Sequence, residues 1–393
     1  MSVRVYHQVG HYPNWNMSSF VTDKCGDGLI LSPVHQNFTS VCALEPKIKA
    51  HCLFDPQYYL PNSPKAKLAT YPFFPQQISG GFLTKDFHLL ALESAKECIA
   101  FQREQGFEAV VIPARFIDQM ATKYFEQQED YTIVPFLKAA SNLGGATPLY
   151  LTVPVTAPML EDEGFRTQLL NWVTGFPEVS GVYVLVNDER KSKQIRSSDL
   201  LFAYMEFLHH AAQSGLIIIA GHLNTESILL SMIDGITLTF GSFENTRMFS
   251  LDKFIESEEE RRAPKSRIYL PALLNWIQFD QATEIRKEAP DLWARIYTAT
   301  SYADGVIARG IEPHFNQPDL YKHHFLCLYK QLKDLGAVNV RERFSLIREH
   351  IKKAMAYYEQ IEDVPLDLDP HGSGAHLQPW LDALNRYYRA FMK

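Results

Sequence analysis

Eight short apolar runs rich in β-branched residues, each bounded by turn residues, constrain this chain more than any other feature. In order they are GLILSP (28–33), HCLFDP (51–56), EAVVIPA (108–114), PLYLTVPV (148–155), GVYVLVND (181–188), LIIIAGH (216–222), GITLTFGS (235–242) and RIYLPALL (267–274). Segments of helical period lie between most of them, at 84–105, 116–143, 165–176, 198–214 and 225–233. Near-continuous apolar strands alternating with helices describe a parallel sheet covered by helices. Eight of them favour an α/β chain closed as a (β/α)8 TIM-like barrel over an open doubly wound sheet. The first two runs are joined by a short, loop-like stretch, so one of the eight is open to being a hairpin or a lid.

A chain of 393 residues suits one barrel with an appendage. The division expected is a barrel over 1–318 and a helical C-terminal extension over 319–393. In that extension 319–336 and 340–362 are amphipathic, a polar loop covers 363–378, and 379–392 forms a last helix. The charge-dense run 251–262 reads as a solvated helix face. No run approaches the roughly 18 apolar residues of a membrane span. The N-terminus has no signal-peptide core, so no membrane association and a cytoplasmic location are expected. Five cysteines without a CxxC pair read as reduced, buried thiols. The net charge of −7 argues against indiscriminate coating of nucleic acid, while leaving room for a local basic groove.

In a parallel barrel the residues at the C-terminal ends of the strands face one cavity. Here those positions carry Asp55 and Gln57, with Tyr58 and Tyr59 beside them, and Arg115. Asn187, Asp188 and Glu189 follow the fifth run, His222 and Asn224 the sixth, and Glu244 and Arg247 the seventh. Carboxylates, amides, an imidazole and guanidiniums suit acid–base or glycosidic chemistry better than redox chemistry. Asp55 is the expected nucleophile or charge stabiliser, with Glu189 or His222 protonating the leaving group or orienting water. The other reading of Asp55 is a turn-capping acid before proline. Tyr58 or Tyr59 would stack a base, and Glu244 with Arg247 would form an internal ion pair or hold a phosphate. Arg341, Arg343, Arg348, Lys352 and Lys353 would hold phosphates or simply face solvent. No GxGxxG or GxxxxGK[ST] pattern follows a strand, and only His222 stands at a strand end as a metal ligand would, so neither cofactor nor metal is expected.

With these residues in place, the order of strand ends resembles the tRNA-guanine transglycosylase-like barrels, over roughly 27–274. FDPQYY resembles the family's aspartate before an aromatic and glutamine-containing loop, and AGHLNTESILLSMIDGITLTFGSFENTR its later stretch ending in Thr-Arg. SRIYLPALL resembles the strand after the family's zinc loop. The family's second aspartate has no counterpart in TFGSF, and the zinc loop is absent. The resemblance therefore implies a divergent member that removes, or exchanges, a base in DNA or RNA. Asp55 carries over as the catalytic acid, and Arg247 in a structural or phosphate role. Two other readings stand beside it: a carbohydrate-active barrel hydrolase, and a non-catalytic barrel serving in binding or assembly.

Overall fold

A computed structural model describes residues 3–79, 87–118, 120, 123–189, 192–256 and 264–393. Eight parallel strands are β1 (Arg4–Gln8), β2 (Gly28–Leu31), β3 (Cys52–Phe54), β4 (Val110–Ile112), β5 (Leu149–Thr156), β6 (Gly181–Asn187), β7 (Ile217–Ala220) and β8 (Thr237–Gly241). They pair in the order β3-β2-β1-β8-β7-β6-β5-β4. The two outer strands face one another: Glu108 N, just ahead of β4, donates to Cys52 O in β3 at 3.0 Å, and Phe116 N to Tyr59 O at 3.0 Å. The sheet is a nearly closed barrel with helices between its strands, as the alternating runs predict.

One strand assignment is corrected. The eighth run, 267–274, is not in the barrel; β9 (Arg267–Leu270) pairs antiparallel with β10 (Asn275–Gln278) in a separate hairpin. Its place is taken by the N-terminal β1, where polar Arg4, His7 and Gln8 break the apolar pattern. Those polar residues are explained by the register. β1 aligns Arg4, Tyr6 and Gln8 with Thr237, Thr239 and Gly241 of β8, and this set lines the interior. His7 and Phe240 face outward, with rings 4.4 Å apart. Below them, Arg4 Nη1 meets Glu108 Oε1 at 2.7 Å, and the Tyr6 hydroxyl donates to the same carboxylate. An ion pair and a phenol thus close the barrel floor.

The hairpin and the helices Phe279–Glu288, Pro290–Ile296 and Ser301–Arg309 share their own apolar core, including Ile268, Ile277, Ile285, Ile296 and Val306. After this block, helix Asp319–Gly336 returns to the barrel, and its Phe325 ring lies 4.9 Å from His7 and 5.2 Å from Phe240. It covers the β8–β1 junction. Helix Leu377–Phe391 docks through Trp380 Nε1, which donates to Ile195 O at 2.9 Å, and through a 2.8 Å bond between the Tyr387 hydroxyl and His209. Helices Asp319–Gly336 and Val340–Glu362 have the predicted bounds because their amphipathic period runs unbroken between turn residues. Among the described residues no helix is long and apolar enough to cross a membrane.

Candidate functional site

Asp55 leaves β3 at the C-terminal mouth and is completely buried. The next residue is proline, and the backbone N of Gln57 turns back to Asp55 Oδ1 at 3.1 Å, an Asx-type turn. Gln57 adopts φ 58°, which swings the chain so that Tyr59 returns over the carboxylate. The Tyr59 hydroxyl then reaches both carboxylate oxygens, at 2.9 and 3.0 Å. Left-handed backbone at a residue other than glycine is strained and tends to collect at functional sites. Gln57, Glu189 (φ 46°) and His222 (φ 55°) all have it, and each lies just past the C-terminal end of a barrel strand.

Lys253 acts on this carboxylate through its charge, and His222 meets Lys253 in turn. After β8 the chain crosses the mouth, and the turn Leu251–Phe254 carries Lys253 with its stem partly exposed and its ammonium head buried. Lys253 Nζ and His222 Nε2 share a hydrogen bond at 3.1 Å. Burial raises the Asp55 pKa above the ordinary carboxylate range, opposed by the Lys253 charge, the Tyr59 hydroxyl and the Gln57 amide. Burial lowers that of Lys253, opposed by Asp55. Burial lowers the His222 pKa well below its ordinary value, and the Lys253 charge lowers it further. The charged run that contains Lys253 was expected to be solvated; in its described part Phe254 and the ammonium head of Lys253 are buried, and 257–263 lie outside the described residues.

Two substitutions test this electrostatic balance. In Tyr59→Phe the carboxylate loses the hydroxyl that meets both of its oxygens and, with it, its fixed orientation. We expect the Asp55 pKa to rise further, because the lost hydroxyl stabilised the charged form, as followed by NMR of the labelled carboxyl group. In Lys253→Met the opposing cation is gone, so the Asp55 pKa rises further. The Asp55 titration followed by NMR should then move to higher pH; an unmoved titration would show that Lys253 does not act on Asp55.

Sequence reasoning missed three groups here: Lys253, Gln8 and Tyr183. The Tyr183 hydroxyl crosses the barrel from β6 to Gln8 Oε1 at 3.0 Å, and Asp55 raises its pKa further above a value already raised by burial. Tyr183 fits there because residue 221 is glycine; a Cβ at that position would sit 2.4 Å from its ring. Gln8 Nε2 is buried and has no acceptor among the described residues, so a donor is left facing the interior. The only available signal was the period-two alternation of VRVYHQV.

Several expected substrate contacts serve the scaffold instead. Gln57 clamps the β2 loop, donating to Ser32 Oγ at 2.8 Å and accepting from Val34 N at 3.0 Å. Tyr58 turns away from the mouth, its hydroxyl 2.7 Å from Phe73 O and 2.9 Å from Ser94 Oγ, so it is not a stacking surface. Tyr59 is fully engaged with Asp55. Arg115 stacks 3.6 Å from the Tyr131 ring centre, and burial lowers its pKa to about 10. A half-buried aromatic shelf lies elsewhere on the mouth, where Trp15 stacks between Tyr12 (4.5 Å) and Tyr321 (5.4 Å), with Phe243 at 5.5 Å.

The remaining candidates gather around the β6, β7 and β8 loops. Glu189 is exposed, and no bond among the described residues joins it to Asp55; its backbone N meets Asn187 Oδ1 at 3.3 Å. Asp188 lines an open cavity of about 630 Å³ with Glu161, Ser192, Arg196 and His371. Glu244 forms an ion pair with Lys193, while the Arg247 guanidinium lies 4.1 Å above the Trp276 ring. Asn224 ties the loops together, donating to Lys193 O at 2.8 Å and accepting from Trp276 Nε1 at 3.3 Å. Among the C-terminal basic residues, Arg343 is neither solvated nor free for phosphate: it is 1% exposed and its guanidinium binds Leu335 O, Ser231 O, Val338 O and Asp234. No protein-family model, curated protein or solved structure matches this chain.

Proposed function

We propose that this barrel is a glycosidic-bond enzyme, and that the bond it breaks joins a base to the sugar of a nucleic acid. The observation that carries the reading is the Asp55 carboxylate. It is buried at the catalytic end of a (β/α)8 barrel, oriented at both oxygens by Tyr59, and balanced by Lys253. A carboxylate held in this way suits an oxocarbenium-like centre, which it stabilises or attacks as the leaving group departs. The C1′–N bond breaks with its electrons going to the base. In this reading the Lys253–His222 pair delivers a proton to that base, and water completes the reaction at C1′. The aromatic shelf at Trp15 offers stacking for exposed bases. The resemblance of FDPQYY to the transglycosylase-like barrels points the same way. Because Asp55 has no exposed surface, substrate entry requires Tyr59, with the Phe249 and Phe254 rings packed against it, to move off the carboxylate.

That complete burial also favours a second reading, in which Asp55 only clamps its turn and the barrel is a binding or assembly subunit. The test is incubation with single- and double-stranded DNA and RNA carrying natural and modified bases, with free base followed by mass spectrometry. Polysaccharides run in parallel cover the carbohydrate alternative. Base release supports the proposal, reducing sugar alone supports a carbohydrate hydrolase, and neither product leaves the non-catalytic reading.

A further inference from the structure

We propose that the cavity within the hairpin-and-helix block binds a free α-amino acid with an apolar side chain. The cavity measures about 300 Å³ and opens between β9 and the three helices that follow the hairpin. None of its lining residues belongs to a barrel strand or to the site described above, so it is a separate site. At about 30 Å³ per water the space equals about ten waters, so its ligand has about ten non-hydrogen atoms.

The floor is apolar. Ile268, Phe279, Ala282 and Trp293 line it and are themselves buried, and Tyr297 braces the Trp293 ring, stacked at 4.7 Å. Walls of this kind take an aliphatic or aromatic side chain. Ile311, between the lining residues Gly310 and Glu312, is 73% exposed and adds apolar surface beside it.

The charges give the ligand its polar end. Three charged residues line the cavity: Asp280, Arg286 and Glu312. Asp280 is engaged at both oxygens, by Lys265 at 2.9 Å and by the Gln281 amide at 2.8 Å. Nearby, Lys287 meets Glu284 and Glu288, and Arg309 meets Asp319. Among the described residues Arg286 and Glu312 have no ion pair and no side-chain hydrogen bond, and Lys265 feels the Glu312 charge only at a distance. These groups amount to four cations against five carboxylates, close enough to neutral to favour no strongly charged ligand. What remains is one unengaged group of each sign on the wall of one small space. A carboxylate on the planar Arg286 fork, an ammonium on Glu312 and an apolar side chain on the floor satisfy all three features at once. Both charges then sit on one Cα, which a free amino acid has and a peptide terminus does not.

The test is a ligand-observed NMR titration of the full chain with L-leucine, L-phenylalanine, N-acetyl-L-phenylalanine and L-phenylalanine amide. At least one of the two free amino acids should bind with a Kd of about 1 mM or tighter. The two blocked forms, each missing one charge, should bind about tenfold more weakly than L-phenylalanine. Arg286→Gln and Glu312→Gln should each cost about tenfold, and since both side chains are exposed neither change threatens the fold. The losses should also pair: Arg286→Gln should bind L-phenylalanine and its amide alike, and Glu312→Gln should bind L-phenylalanine and its N-acetyl form alike. No binding of either amino acid up to about 10 mM overturns the site. So do blocked forms that bind as tightly as the parent, or wild-type affinity in both variants. The readout is binding alone, so the result is independent of whether the barrel releases a base.

Discussion

Asp55→Asn is expected to lower turnover about a thousandfold or more, roughly 4 kcal/mol of transition-state stabilisation, while leaving substrate affinity within about threefold. Asparagine keeps the shape of the side chain, and its carbonyl oxygen still accepts from the Gln57 amide or the Tyr59 hydroxyl. What it loses is the negative charge that faces a developing cation. The effect should therefore fall on kcat. The substitution also removes a buried charge beside Lys253, so Lys253 loses the carboxylate that opposes its lowered pKa and becomes more easily deprotonated. The measurement is steady-state kinetics alongside far-UV circular dichroism. A folded Asp55→Asn protein with wild-type turnover would make Asp55 a turn clamp and nothing more.

The largest effect on stability is expected from Arg343→Met. This guanidinium gathers three carbonyls that meet no other donor among the described residues: Leu335 O at 2.7 Å, Ser231 O at 2.7 Å and Val338 O at 3.0 Å. Leu335 and Val338 belong to the end of helix Asp319–Gly336 and the turn after it, where unpaired carbonyls collect, while Ser231 precedes β8. Asp234 Oδ1 at 3.0 Å balances the charge from the solvent side. Methionine fills much of the volume but leaves the carbonyls buried and unmet. The expected cost is about 3–5 kcal/mol. For a chain of this size that lowers the melting temperature by about 5 °C. Arg343→Lys should recover only part of the loss, because an ammonium cannot span carbonyls that the planar fork reaches together. Thermal melts of the three proteins would check the order.

Regular periodicity made most of the fold legible. Seven barrel strands and the two long C-terminal helices follow apolar patterns that local sequence carries by itself. β1 was hidden because a barrel strand's inner face can be polar: Arg4 and Tyr6 serve the floor, Gln8 the central hydrogen bond, and His7 the helix layer. RIYLPALL looked like a barrel strand because an antiparallel hairpin buried under helices has the same apolar content.

The site was legible only where chemistry follows a strand end directly. Asp55 and His222 were named that way, and both lie just past the ends of barrel strands. Lys253 was not, since KFIESEEERR looks like solvent-facing sequence and the burial of one ammonium depends on how the loop crosses the mouth. Tyr58 and Tyr59 are neighbours with opposite fates, because a single positive-φ residue, Gln57, decides which of them turns over the carboxylate. Glu244 pairs across loops with Lys193 rather than locally, a contact that sequence spacing does not encode.

The most direct single measurement is the yield of free base when wild-type protein is incubated with single-stranded DNA or RNA, compared with Asp55→Asn under the same conditions. The account predicts base release by the wild type and its near-complete loss in the variant. Equal yields from both proteins, or release of no base at all from any substrate, would contradict it.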